Sequence, residues 1–222
     1  MTSPTASPGA TPGPVGKGQA TRRVLLATHN RKKLVELDRI LRPLLPAVEV
    51  LGLDDVPAYD EPAETEATFA GNALLKARTA VAHTGLPAVA DDSGLCVDAL
   101  NGMPGVLSAR WSGRPKDDAR NNWLLLEQLA DVPDERRGAA FVACVVLVVP
   151  GGSEHVVEGR VGGSIAHAPR ADGGFGYDPL FVPEGVTRTF AELSPEEKDA
   201  VSHRGRALRE LAPLLAANLP ES

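Results

Sequence analysis

Short apolar runs alternate with helical patterns through the first half of the chain, and few architectures accommodate that order. Val24-Leu25-Leu26-Ala27 is a buried-strand run, followed by the polar tripeptide Thr28-His29-Asn30 and then by Leu34, Leu37, Ile40, Leu41 and Leu44 at helical spacing. Val48 to Leu53 predicts a second strand, 54–62 an acidic loop, and about Glu64 to His83 a helix ended by Gly85 and Pro87. Ala88-Val89-Ala90 predicts a short strand running into Asp91-Asp92-Ser93-Gly94, with another short strand around Leu95 to Ala99 and a Gly/Pro-rich loop through Gly113. A helix over about Asp117 to Leu129 follows, then a hairpin of Ala139 to Val149 with His155 to Val161 across a Gly-Gly turn. Ser194-Pro195-Glu196-Glu197 carries a capping-box signature, and a last amphipathic helix spans about Arg204 to Asn218. Early alternation with a later antiparallel pair predicts an α/β fold with a mixed sheet.

Composition narrows the function. With 222 residues, one compact or two-lobed domain over 22–219 is expected. The 23 Lys and Arg against 29 Asp and Glu give a net charge of −6, so the chain lacks the global positive field that drives nucleic-acid binding. Any bound anion must be held by a few local cations. The longest strongly apolar stretch, Ala139 to Val149, is far below the ~18–20 residues that span a bilayer, so no membrane partner is expected. Cys96 and Cys144 form neither a CxxC pair nor a Cys/His cluster and read as buried reduced thiols. Residues 1–21, rich in Pro, Gly, Ser, Thr and Ala without an apolar signal-peptide core, read as a disordered tail on a cytoplasmic protein.

Polar groups gather at four places. In Thr28-His29-Asn30-Arg31-Lys32-Lys33, a strand end delivers backbone N–H groups, a capping side chain and cations to a helix N-terminus, which favours phosphate. An ordinary capped helix start would carry the same residues, and no Walker A pattern occurs. Glu64, Thr68, Asn72 and Lys76, spaced by four, would form one polar stripe on the predicted helix; a solvated face and a ligand-binding face both satisfy that spacing. Asp91 and Asp92, after an apolar strand, need a compensating cation if buried, and their hard oxygens suit Mg²⁺ with a phosphate substrate; an Asx turn is the alternative. Finally, Gly173-Gly174-Phe175-Gly176-Tyr177-Asp178 lets backbone approach a flat ligand while a ring stacks on it, although Phe175 would serve equally as a core anchor. Further along, Ser202 reads as the cap of the last helix, with His203 and Arg204 in its first turn and Lys198 upstream.

In this order the clusters resemble the inosine triphosphate pyrophosphatase family. The motifs are ATHNRKK, ETEATFAGNALLKA, ADDSGLCVDALNGMPGVLSARWSG, GGFGYDPLF and AELSPEEKDAVSHRGRAL, and the likeness runs from Val24 to Leu215. The resemblance implies an elongated mixed sheet with flanking helices and two lobes around a nucleotide cleft. It implies hydrolysis of deaminated purine nucleoside triphosphates (dITP, ITP, XTP) to monophosphate and pyrophosphate, with Mg²⁺ and as a homodimer. By the same resemblance Thr28, Asn30 and Lys33 form the phosphate loop, with His29, Arg31 and Lys32 at its variable positions. Glu64 and Asp92 are the Mg²⁺-linked carboxylates, Asp92 is the proton acceptor, and Asn72 and Lys76 lie near the triphosphate. Ser93 contacts substrate, and Phe175, Gly176, Tyr177, Asp178, Lys198, His203 and Arg204 surround the base.

Overall fold

The computed structural model describes residues 22–220, so the expected tail over 1–21 lies outside the described residues. Six strands form one sheet in the order β2-β1-β3-β4-β5-β6. β1 (Arg22–Leu26) pairs in parallel with β2 (Val48–Leu51) and with β3 (Ala88–Val97). β3, β4 (Gly138–Val148), β5 (Glu154–Ile165) and β6 (Phe181–Pro183) run antiparallel, so the expected mixed sheet and the β4–β5 hairpin are both present.

Helices cover both faces. On one, α1 (Arg31–Leu44) and α5 (His203–Asn218) bury Leu37, Leu41, Leu208 and Leu211 against Val24, Leu26, Val89 and Val145. On the other, the alanine stripe of α2 (Phe69–Thr84), Ala73, Ala77 and Ala80, packs on Leu25, Ala88, Ala90 and Val146. Residues 88, 89 and 90 thus alternate between the two cores, as a strand requires. A third core at the far end gathers Leu95, Phe141, Phe181 and Phe190 with Leu125 of α3 (Asp118–Gln128). The strands β3, β4 and β5, of 10, 11 and 12 residues, run through all of this and give an elongated sheet with a lobe at each end. No helix among the described residues is long and apolar enough to cross a membrane.

Three local expectations are corrected. The two short strands flanking Asp91-Asp92-Ser93-Gly94 are one continuous strand, and the four residues sit inside it, Asp91 opposite Val145 and Asp92 opposite Cys144. Their turn-like composition is overridden by pairing with β4, a non-local partner. The second helix begins at Phe69, not near Glu64. Thr68 caps it by accepting the Gly71 N–H at 3.0 Å, and the Asn72 side chain accepts the Glu66 N–H at 2.9 Å, which closes the preceding turn outside the helix. Glu64 therefore does not share a helical stripe with Asn72 and Lys76. Cys144 is buried as expected, whereas Cys96 is only partly covered.

Candidate active site

β1 ends at Leu26 while β3 continues beyond it, opening a crevice at the carboxyl end of the parallel strands, where open α/β sheets bind ligands. The loop entering α1 forms one wall. Asn30 caps α1, its Oδ1 accepting the N–H groups of Lys32 at 3.0 Å and Lys33 at 3.2 Å, and Thr28 Oγ1 in turn accepts the Asn30 N–H at 3.2 Å. This fixes the helix N-terminus toward the crevice, with Lys33 reaching inward to place Nζ 3.0 Å from Asp91 Oδ2. His29, Arg31 and Lys32 stay on the exposed rim, His29 beside Glu61.

Strand geometry sends the adjacent carboxylates to opposite faces. Asp91 points toward α1 and α5, accepting from Lys33 and from Arg204 Nε at 3.0 Å. Although burial pushes it upward, Lys33 and Arg204 hold its carboxyl well below the usual range. Asp92 points toward α2, with Oδ1 3.4 Å from Lys76 Nζ and Oδ2 accepting from Asn72 Nδ2 at 3.1 Å. Burial is the largest influence here and outweighs Lys76 and Lys33, so the Asp92 pKa is raised. Lys76 also binds Glu64 Oε1 at 2.7 Å; burial would lower its pKa, but Asp92 and Glu64 more than compensate and raise it. Glu64 reaches the site from the extended segment before α2, where Arg110 grips Oε2 at 2.8 Å and its main-chain carbonyl at 3.3 Å.

At the other end the Gly-rich loop carries Phe175. Gly176 has φ +62°, and α3 holds it from both sides, its N–H donating to Asp118 at 2.8 Å and its carbonyl accepting from Asn122 at 3.0 Å. Asp178 accepts from the Phe175 N–H and from Lys198, at 2.8 and 2.7 Å. Tyr177 is a core ring whose hydroxyl donates to the Ser108 carbonyl. Ser202 ends α4 (Pro195–Val201) and caps α5, which sets His203 and Arg204 in the first turn as expected. The buried His203 stacks on Phe141 at 4.8 Å, and burial drives its pKa well below 6.5, leaving a neutral ring. Arg204 lies under Phe175, its guanidinium carbon 5.2 Å from the ring centroid, and donates to Asp91, to Glu36 Oε2 at 2.9 Å and to Ser93 Oγ at 2.6 Å. Two carboxylates neutralise that guanidinium, so this end suits an uncharged polar ring rather than an anion.

A cleft of about 570 Å³ joins the two ends, lined by Thr28, Lys33, Glu64, Lys76, Asp92 and Arg204 among others. Asn72 lies behind it, fully buried in support of Asp92, and Lys198 lines a neighbouring cavity of about 440 Å³ beyond Phe175. No cluster of three or more His, Cys, Asp or Glu suited to a metal occurs among the described residues. Glu64 and Asp92, two carboxylates bridged by one lysine, nevertheless fit Mg²⁺, which keeps several waters and takes one or two carboxylates together with substrate phosphate.

The model of the Ham1 family matches residues 24–214. The chain belongs to the Ham1 family. A Nocardia farcinica protein named dITP/XTP pyrophosphatase is 66% identical over 196 residues, 88% of this chain and 95% of the relative. The crystal structure of a Mycobacterium abscessus nucleoside-triphosphatase / dITP/XTP pyrophosphatase is 64% identical, with a TM-score of 0.71 over 86% of this chain and 99% of that one. The Staphylococcus aureus Ham1 protein is 36% identical, with a TM-score of 0.78 over 88% and 99%.

In this Ham1-family chain, sequence reasoning missed four participants. Glu36 hides in a helix with many polar residues, and its only signal is its place one turn after Lys33, on the side that turns inward. Arg110 falls within a quoted motif but in a loop whose contacts are not legible locally. Asp118 and Asn122, spaced by four on α3, meet Gly176 in a distant loop, a contact that no local pattern signals.

Proposed function

We propose that this cleft hydrolyses deaminated purine nucleoside triphosphates, dITP, ITP and XTP, to the monophosphate and pyrophosphate. The observation that carries the reading is the polarity of the cleft, with Lys33, Lys76 and the N-terminus of α1 set among the carboxylates Glu64 and Asp92 at one end and a charge-compensated, aromatic-flanked Arg204 at the other. The names of the relatives point the same way.

A triphosphate brings about four negative charges, which Lys33, Lys76 and the N-terminus of α1 attract and orient for in-line attack at the α-phosphorus. Asp92, held by Asn72 and Lys76, takes the proton of the attacking water. Water oxygen bonds to the α-phosphorus as the bond to the bridging oxygen breaks, and pyrophosphate leaves. Glu64 and Asp92 would hold Mg²⁺, which would supply charge neutralisation and polarisation of the phosphate oxygens. Arg204 donates to the 6-oxo group of the base, where adenine would present an amino group and leave the donors unpaired, at about 1–3 kcal/mol each. Such an activity clears deaminated purines from the cytoplasmic precursor pool, and a homodimer belongs to the same reading.

The test is anion release from dITP, XTP, dGTP and dATP with Mg²⁺, measuring pyrophosphate and orthophosphate separately. Pyrophosphate from dITP and XTP with little from dGTP or dATP is expected. Orthophosphate as first product would refute attack at the α-phosphorus, and binding of dITP with no release would leave only a nucleotide-binding protein.

A further inference from the structure

Asp118 is exposed and lines the main cleft, yet no step of the proposed reaction uses it. It stands in the first turn of α3, where its Oδ2 accepts the Gly176 N–H at 2.8 Å, and Asn122 one turn later donates to the carbonyl of the same glycine at 3.0 Å. Oδ1 of Asp118 has no hydrogen-bond partner among the described residues. Two residues earlier, Lys116 lines the same cleft and acts at its other end. Burial pushes the Glu64 carboxyl upward, but Lys76, Arg110 and, more weakly, Lys116 bring it below its usual range. The wall at the start of α3 therefore runs from the carboxylates of the phosphate end, felt at Lys116, to the loop that carries Phe175, held at Asp118.

Charge decides what such a carboxylate can face. Beside a phosphate it would meet like charge, which costs binding energy. Between the phosphates and the base of a nucleotide lies the sugar, an uncharged group whose hydroxyls donate, and an ionised carboxylate accepts only. Resting on the nucleotide reading above, we propose that Asp118 Oδ1 accepts a hydrogen bond from the 3′-hydroxyl of the sugar. With Oδ2 committed to Gly176, one oxygen remains, enough for one hydroxyl and not for both members of a ribose 2′,3′-diol. The 3′-hydroxyl is the one that ITP and dITP share, so this contact admits both sugars. Because the same carboxylate holds the backbone next to Phe175, one side chain ties the sugar to the loop that flanks the base.

The test removes the hydroxyl and leaves the loop contact in place. Wild-type protein should use 2′,3′-dideoxy-ITP at least about tenfold less efficiently than dITP in kcat/KM, because a hydrogen bond to a charged group is lost, and equal use would overturn the proposal. In Asp118→Ala the ratio of kcat/KM for dITP over its dideoxy analogue should fall to within about twofold of one, since the acceptor that reads the difference is gone. An equal loss on both substrates, with the ratio at its wild-type value, would overturn the proposal and leave Asp118 as a brace for Gly176. The wild-type comparison stands whether or not that variant folds. Equilibrium binding of dIMP and 2′,3′-dideoxy-IMP, without turnover, separates this inference from the proposed reaction. Wild type should bind dIMP at least about tenfold more tightly; equal binding refutes the role of Asp118, whereas that preference without pyrophosphate release from dITP refutes the reaction alone.

Discussion

At Asp92 burial and the neighbouring lysines pull in opposite directions, and burial prevails, leaving a basic carboxylate beside Lys76. Asp92→Asn keeps the contact with Asn72 but cannot take a proton, so pyrophosphate release from dITP should fall by about 10²–10⁴ while dITP binding persists. Single-turnover assays with binding isotherms check this, and unchanged turnover would remove Asp92 from its role. Asp91 shows the opposite balance, because Lys33 and Arg204 outweigh burial and hold it below its ordinary 3.8. The native state then binds fewer protons there than the unfolded chain, so this stabilisation is complete above that value and is lost as pH falls below it. Asp91→Asn leaves two buried cations short of a partner and should cost about 3–5 kcal/mol at neutral pH, with the deficit shrinking below about pH 4. Urea unfolding at both pH values measures it, and the same deficit throughout would contradict the assignment.

Elements position these groups through contacts of unequal legibility. The start of α1 is readable because Asn30 follows an apolar run directly and its cap is local; Ser202 before His203 and the Ser194–Glu197 capping box are readable for the same reason. β3 is not, since Asp91-Asp92-Ser93-Gly94 has the composition of a turn and becomes a strand only by pairing with β4, some fifty residues away. The start of α2 turns on competition between two plausible N-terminal regions, decided by the Thr68 cap and the Asn72–Glu66 contact. Glu36 and Arg110 escape notice because each finds its partner across the cleft rather than along the chain. The seat of α5 on β5 is equally non-local. A Cβ at Gly159 would overlap the His203 carbonyl and lie 2.8 Å from the Ala207 nitrogen, both backbone atoms that cannot swing aside. Gly159→Ala should therefore destabilise the protein by about 1–3 kcal/mol and raise KM for dITP by displacing the first turn of α5. Thermal melts and steady-state kinetics test it; wild-type stability with wild-type KM would mean that α5 is not seated this tightly.

Over the whole molecule the elongated sheet sets the spacing between chemistry and recognition. Asp91 and Asp92 emerge near the middle of β3 and Glu64 joins Asp92 from the segment before α2, while the end proposed for the base is assembled from α4, α5 and the loop held by α3. With only two carboxylates at its disposal, the protein should gain little stability from Mg²⁺ alone and markedly more from Mg²⁺ with a non-hydrolysable dITP analogue, because the phosphates complete the ligand set. Differential melting curves compare the two, and full stabilisation by the metal alone would require ligands other than Glu64 and Asp92. The central claim is that one cleft holds phosphate at the α1 terminus and base at Phe175 and Arg204. A crystal structure of Asp92→Asn with dITP and Mg²⁺ tests it most directly. The account predicts triphosphate against Lys33 and Lys76 and the hypoxanthine O6 facing Arg204; a base bound at the Lys76 end, or a nucleotide outside this cleft, would contradict it.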